Sequence, residues 1–384
     1  MNFAINGNSY SRENVLVIAE VGTSHSGDTV KARELVSAAA EAGADCVKTQ
    51  IVYADEIVHP LTGLVPLPSG DVLLYDIFKK LEQPPEFFLS LKEYAESKGL
   101  MFLATPFGPR SVACLRDLSP AAVKIASPEL NYSQLLKTVS SWNLPVLLSS
   151  GVSTLADIEA ALSFFGRRDL SDRHSLSEKR GPIENSSVCL MHCVTAYPAP
   201  ETEYNLRLLE MLSAIFGVIT GVSDHSLDAR LVPLLAVACG ACAVEKHFCL
   251  SRDGSGLDDP IALTPADFAE MCSAIRRAEA RDSETVVSEA VREYSAEKVS
   301  LVLGDGVKRL SPSESQNYNR TNRSIHAMRD ILKDEVISSE NCAVLRTEKV
   351  LRPGMPPCML EKIAGRTARR FIPAGEGIRF EDVQ

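Results

Sequence analysis

The sequence has no excess of basic residues, no long apolar run and no second cysteine pair to complete a zinc motif, and each absence excludes a class of function. Its 40 Lys and Arg against 50 Asp and Glu leave a formal charge of −10. That argues against a nucleic-acid partner, whose phosphates require a basic surface. An anionic small molecule is still allowed, because a few lysines inside one cleft reverse the sign locally. No apolar run approaches the ~18 residues needed to span a bilayer, so no membrane partner is expected. The opening MNFAINGNSYSREN lacks the basic start and apolar core of a signal peptide. The ten cysteines are scattered, several of them beside apolar runs (Cys46, Cys189, Cys193, Cys249). Cys239 and Cys242 form a CxxC, but no second pair completes a zinc site. Buried free thiols in a reducing compartment are the expectation, and hence a cytoplasmic protein.

What is present is a row of eight short apolar runs, nearly all ending in chemistry. VLVIAEVG closes on Glu20, CVKTQI carries Lys48 and Gln50, MFLATPF ends near Thr105, and AVKIAS supplies Lys124 and Ser127. PVLLSSG supplies Ser149 and Ser150, VCLMHCVT His192 and Thr195, GVITGVSDH Ser223, Asp224 and His225, and AVEKHF Glu245, Lys246 and His247. Continuous apolar runs are the mark of parallel strands buried on both faces. Charged groups are excluded from their middles by the cost of desolvation. Polar residues gathered at one end of eight such strands predict an α/β fold, a (β/α)8 TIM barrel with its active site at the C-terminal face.

Helical patterns separate the runs. DTVKARELVSAAAEAG places Ala32, Leu35, Val36, Ala39 and Ala40 on one face, with Asp28 or Thr29 as cap and Gly43 as stop. Thr154 and Asp157 have capping-box spacing, and Thr264-Pro265 opens the helix after the eighth strand. Residues 52–84, rich in Pro and Gly, form a long loop on the active-site side that can cover the site. The charged stretch 166–187 emerges on the opposite face and reads as a solvated insertion. The expected division is a catalytic barrel at 1–280, a helical segment and linker at 281–320, and a small β-rich domain at 321–384. RDSETVVSEAVREYSAEK reads as a polar helix, and residues 304–320 as a linker. The tail holds an internal repeat: AMRDILKDEVISSEN from Ala327 aligns without gaps on ARRFIPAGEGIRFED from Ala368, which predicts pseudo-symmetry.

His225 and His247 stand at the ends of strands seven and eight, neighbours in a closed barrel, so both imidazoles can reach one divalent ion. Imidazole suits Mn, Fe, Co or Zn better than Mg, and two ligands leave positions open for substrate. The alternative is that each is a structural histidine. Lys48 and Lys124, ringed by Thr105, Ser127, Ser149 and Ser150, suit a phosphate or carboxylate; a Schiff-base lysine is the rival use. Glu20, after VLVIA, is expected to be partly buried, with its pKa raised towards the range useful for acid–base work, or else to bond the following loop.

The ordered set IAEVGTSHSGD, EAGADCVKTQ, ATPF, VKIASPEL, LLSSG, MHCVTAYP, GVSDH and VEKHF closely resembles the sialic acid (N-acetylneuraminate) synthase family, from about residue 15 to the C-terminus. The tail, with VLRPG at 350–354 and IAGRTARRFIPAGEGI, resembles that family's antifreeze-like or SAF domain. The resemblance implies condensation of phosphoenolpyruvate with an N-acetylated amino sugar, such as N-acetylmannosamine, to a nine-carbon acid and phosphate. It implies His225 and His247 as ligands of Mn or Mg, with Co also possible. Lys48, Gln50, Thr105, Lys124, Ser127, Ser149 and Ser223 match phosphoenolpyruvate contacts. Glu129, Tyr197 and Asp258 match positions lining the sugar site, and Glu20 matches the catalytic glutamate. Arg352 matches an arginine that reaches the sugar's acyl group across a domain-swapped homodimer. Ser24 and Thr195 stand where the family usually has Asn, a departure that bears on which sugar is accepted. The same reaction on a modified sugar, giving legionaminic- or pseudaminic-type acids, and a Schiff-base aldolase using Lys124 or Lys48 are the alternative activities.

Overall fold

A computed structural model describes residues 2–67, 70–165, 185–254, 256–348 and 350–384. The eight apolar runs are eight parallel strands: β1 (Leu16–Gly22), β2 (Cys46–Ile51), β3 (Met101–Pro106), β4 (Val123–Ile125), β5 (Val146–Ser149), β6 (Val188–Cys193), β7 (Ile219–Asp224) and β8 (Ala243–His247). They pair in the order β3-β2-β1-β8-β7-β6-β5-β4, so the first strand is laddered to the last. Only the β3–β4 seam lacks a ladder, and there the two strands lie side by side. The sheet is therefore a (β/α)8 barrel.

The eight wrapping helices are α1 (Thr29–Glu41), α2 (Pro85–Ser97), α3 (Pro109–Asp117), α4 (Ser133–Ser140), α5 (Leu155–Ser163), α6 (Leu208–Phe216), α7 (Leu231–Ala238) and α8 (Pro265–Glu279). Local chemistry sets their ends. Asp28 accepts from the Val30 and Lys31 N–H groups, and Gly43, at φ 90°, stops α1. Ala32, Leu35, Val36 and Ala39 are buried as the periodicity predicts, and Ala40 is half-buried. Thr154 and Asp157 form a reciprocal capping box on α5.

Inward-pointing side chains fill the barrel's lower half: Leu16, Ile18, Cys46, Leu103, Leu147, Cys189, Met191 and Ala243 form one dry cluster. An N-terminal hairpin (Asn2–Ile5 with Asn8–Tyr10) presses Phe3, Ile5 and Tyr10 into it from below. Inside the barrel, the filled bottom leaves room for a ligand at the upper mouth. Most of the charged stretch expected to be solvated, residues 166–184, lies outside the described residues. The ten cysteines are all free, and only Cys358 is exposed.

Two expectations for the C-terminal region need correction. The polar helix is two helices, α9 (Ser283–Tyr294) and α10 (Ala296–Leu303), broken where Ser295 adopts φ 82°. Residues 304–320 are packed against the barrel: buried Glu314 accepts from the Val152 and Thr195 N–H groups at 3.2 and 2.8 Å, and the Tyr318 hydroxyl reaches Asp157 at 3.0 Å. Beyond them the tail strands β9 (Arg323–Ala327) and β10 (Cys342–Arg346) pair antiparallel. The two repeat copies bond each other symmetrically. Ile331 and Ile372, at the fifth position of each copy, exchange both N–H···O bonds. Ala327 donates to Glu376 while Ala368 donates to Glu335, the same pairing of first and ninth positions in reverse. Among the described residues no helix is long and apolar enough to cross a membrane.

Candidate active site

Strand periodicity decides which polar residues face the mouth, since alternate side chains point to opposite sides of a sheet. On β8, Glu245 and His247 point inward while Lys246 points outward, pairing with Asp224 of β7 at 2.5 Å and with the Asp228 carbonyl. On β7 and just beyond it, Ser223 and His225 point inward. Glu20, Lys48 and Lys124 complete an inward ring, and all three are buried.

The ring is an ion cluster of two lysines and two carboxylates. Lys48 Nζ lies 2.5 Å from Glu20 Oε2, 3.3 Å from Thr105 Oγ1 and 3.8 Å from Glu245 Oε2. Lys124 Nζ donates to Glu245 Oε1 at 2.8 Å, and the Ser223 hydroxyl donates to the same oxygen at 2.9 Å. Glu245 thus bridges both ammonium groups, and an anionic ligand must share them with it. Burial lowers the Lys124 pKa. Burial also raises that of Glu20, opposed by the Lys48 charge, as the sequence predicts. Gln50 donates to Glu20 Oε1 at 2.9 Å. The buried Ser149 hydroxyl lines the cavity with no hydrogen-bond partner among the described residues. Gly151 donates to Ser127 Oγ at 3.0 Å, and a Cβ there would meet Thr195 Oγ1 at 2.1 Å, so only glycine lets the β5 and β6 ends approach this closely.

The two histidines sit together, with ring centroids 5.5 Å apart, and Tyr197 stacks on His225 at 4.4 Å. His225 Nδ1 donates to the Val194 carbonyl at 2.8 Å, which leaves Nε2 as the free ring nitrogen. Asp258 Oδ2 is 3.8 Å from His247 Nδ1, and burial, with the Glu20 charge, raises its pKa to about 6. A backbone-oriented imidazole beside a second one is a donor set that fits a divalent ion. No group of three or more His, Cys, Asp or Glu side chains among the described residues is arranged for one, so substrate or water would complete the coordination.

Thirteen of the fifteen residues expected at the site line this cavity: Glu20, Lys48, Gln50, Thr105, Lys124, Ser127, Ser149, Thr195, Tyr197, Ser223, His225, His247 and Asp258. Glu129 and Arg352 do not. Glu129 is fully buried beneath the tail, its carboxylate gripped by Arg323 and Arg346. Arg352 pairs with Asp382 at 2.9 Å and Glu376 at 3.0 Å inside the tail. Arg346 is the tail arginine that reaches the cavity. Arg346 was not among the residues expected there, and Glu245 was expected only as one of the polar residues closing the eighth run, although its position two residues before His247 puts both on one face. The long loop covers the site as expected: Ile57, Val65, Leu74 and Phe78 form an apolar wall. Ser24, another of the departures, donates to Asp259 at 2.5 Å, beside Asp258 rather than in the cavity.

The chain matches the model of the NeuB family over residues 35–286 and that of the SAF domain over residues 322–384. It is 34% identical over 372 residues to the spore coat polysaccharide biosynthesis protein SpsE of Bacillus subtilis, covering 96% of this chain and 93% of that protein. It is 30% identical to the N,N'-diacetyllegionaminic acid synthase of Campylobacter jejuni, covering 95% of this chain and 98% of that one. The crystal structure of B. subtilis SpsE superposes with a TM-score of 0.79 at 33% identity, over 100% of this chain and 99% of that one. The N-acetylneuraminic acid synthetase of Leptospira borgpetersenii superposes with a TM-score of 0.63 at 27% identity, over 83% and 95%. This chain belongs to the NeuB family and ends in a SAF domain.

Proposed function

We propose that this NeuB-family chain condenses phosphoenolpyruvate with an N-acylated amino sugar, forming a nonulosonic acid and releasing phosphate. The observation that carries the reading is the inward ring at one barrel mouth, in which Lys48 and Lys124 stand beside the His225–His247 pair. The lysines would hold the phosphate and carboxylate of phosphoenolpyruvate, with Thr105, Ser127, Ser149 and Ser223 donating to its oxygens. Its C3 would attack the aldehyde carbon of the open-chain sugar, the C2=C3 π pair forming the new C–C bond while the C=O π pair moves to oxygen, which takes a proton to become a hydroxyl, and leaving cationic character at C2. Glu20 would take a proton from the water that adds there. The tetrahedral species then collapses with cleavage of the C–O bond, and phosphate leaves. His225 and His247 would hold a divalent ion, Mn or Mg, which when bound supplies Lewis-acid polarisation of the aldehyde oxygen. With 18O in the bridging position of phosphoenolpyruvate, the label should leave in phosphate; label retained in the sugar acid overturns the mechanism.

Relatives named as legionaminic and pseudaminic acid synthases support the modified-sugar alternative, which a panel of N-acylated mannosamine-type and bacillosamine-derived sugars separates by phosphate release. The lowered pKa of Lys124 is the one feature that favours a Schiff-base aldolase; borohydride trapping with pyruvate tests it. The homodimer expected from the resemblance would exchange tails, making between chains the contacts the tail here makes with its own barrel. For Arg352 to reach a sugar, its pairs with Asp382 and Glu376 must open. Mixing His225→Ala with Arg352→Ala subunits restores activity if tails are exchanged, and leaves the mixture inactive if each tail serves its own barrel.

A further inference from the structure

A second cleft, of ≈ 510 Å³, lies behind the mouth, between the end of β6 and the strap at 304–314. Cys193 lines both this cleft and the first cavity, so one strand end separates them. Three polar groups in its wall are unsatisfied in a way that specifies a ligand.

The first is His192, only 3% exposed. Its Nε2 lies 2.5 Å from the Tyr204 carbonyl, which can only accept, so Nε2 carries the proton. Nδ1 therefore presents a lone pair, and it has no partner among the described residues. Burial, with the Lys308 charge, lowers this imidazole's pKa to about 3, so it stays a neutral acceptor. The second is the Ser311 hydroxyl, 7% exposed and also without a partner among the described residues. The third is the Lys308 ammonium, whose one hydrogen bond is a long 3.4 Å contact to the Ser150 carbonyl. No carboxylate among the described residues lies within ion-pair distance of it, although the Glu314 charge acts on it from further off, and the carboxylates of the wall make their own contacts elsewhere. Glu314 is bonded to the backbone of Val152 and Thr195, Glu203 to Ser313, and Asp305 to Arg309.

A cation with no carboxylate in contact can take an anion, whereas the lone pair of His192 calls for a proton donor. We propose that this cleft is a second ligand site for a small oxyanion that also bears a hydroxyl, with its charged oxygens on Lys308 and Ser311 and its O–H donated to His192. Hydrogen phosphate and α-hydroxy carboxylates share that chemistry. Sulfate, fully deprotonated at neutral pH, does not. The site stands apart from the reaction proposed above and does not depend on it.

Isothermal titration of the full chain with inorganic phosphate tests the site. A binding event should persist in Lys48→Met, which disables the first cavity, and should weaken by about tenfold or more in Lys308→Met, as loss of a charged hydrogen bond implies. Ser311→Ala, which removes a single oxygen, should weaken the same event if Lys308→Met fails to fold. Sulfate should bind at least about tenfold more weakly than phosphate, because it leaves the His192 acceptor unpaired. Lactate binding as well as phosphate would assign the site to hydroxy acids, and its failure to bind would assign it to phosphate. Phosphate binding unchanged in both Lys308→Met and Ser311→Ala, or sulfate binding as tightly as phosphate, overturns the proposal. Loss of phosphate binding in Lys48→Met alone would place the only anion site at the mouth and overturn it equally.

Discussion

Two buried ion clusters lie within the same molecule and are built on opposite principles. At the barrel mouth, Lys48, Lys124, Glu20 and Glu245 balance two charges against two, yet the cluster is incompletely bonded. Ser149 Oγ is unpartnered among the described residues, and Glu245 Oε2 has only a 3.8 Å approach from Lys48. At the rim, Glu129 faces two arginines and is saturated. Its Oε1 accepts from Nε and Nη2 of both Arg323 and Arg346, and its Oε2 accepts a further Arg346 bond at 3.1 Å. The remaining Arg323 donors reach the carbonyls of Glu56, Val344 and Phe107. A saturated cluster joins parts of a structure. An unsaturated one holds bonding capacity for a ligand, at the cost of buried polar groups that stay underused until it binds.

If that contrast is right, substitutions at the two places should differ in kind. The largest effect should come from the mouth: His225→Ala or His247→Ala abolishes turnover, and Lys48→Met lowers kcat/KM by about 10²–10³-fold, as loss of a preorganised charge contact does. Phosphoenolpyruvate binding should survive the histidine changes, and denaturation midpoints should move little in those two. Full activity after exhaustive chelation, or in either histidine variant, breaks the assignment. At the rim the pattern inverts. Glu129→Ala leaves Arg323 buried and unpaired, so urea denaturation should show a loss of about 3–5 kcal/mol. A near-neutral result would mean that the carbonyl partners of Arg323 suffice.

An effect of comparable size, spread over three buried histidines, should follow pH. Burial lowers the pKa values of His25 and His326 to about 4, and that of His192, with the Lys308 charge, to about 3. Each folded value lies below the unfolded one, near 6.5. Their contribution is therefore complete above about pH 6.5 and is lost as pH falls towards 4, by about 1.4 kcal/mol per pH unit for each imidazole. Urea midpoints that do not fall between pH 7 and 5 would show that these rings are hydrated or charged in the native state. The smallest effect is expected at the surface Lys79–Glu82 pair, where exposed Lys79 faces half-buried Glu82 and Lys79→Ala should leave the melting temperature nearly unchanged because solvent screens the lysine's charge.

Much of the mouth was legible in the sequence because it depends on local rules. Apolar runs mark the strands, and alternation determines that Ser223, His225, Glu245 and His247 face one way while Asp224 and Lys246 face the other. The same parity places Glu245 on the inner face, although not as the bridge between the lysines. The rim was less legible. Glu129 matched a sugar-site position by resemblance, but its direction depends on Arg323 and Arg346, nearly 200 and more than 200 residues downstream. The strap read as a linker because its composition is polar, and nothing local announces that Glu314 will be buried against two backbone N–H groups.

What the sequence determined by itself is therefore the barrel, the inward set of polar residues and the twofold repeat of the tail. All three rest on periodicities that a single segment carries. Only the tertiary structure decided that Glu245 shares both lysines, that Glu129 and Arg352 turn away from the cavity while Arg346 enters it, and that a second cleft opens behind His192. Each of those outcomes is a choice of partner between residues far apart in the chain. That choice is set by distance and burial, since a charge or lone pair removed from water must find whatever the fold brings within about 3 Å of it.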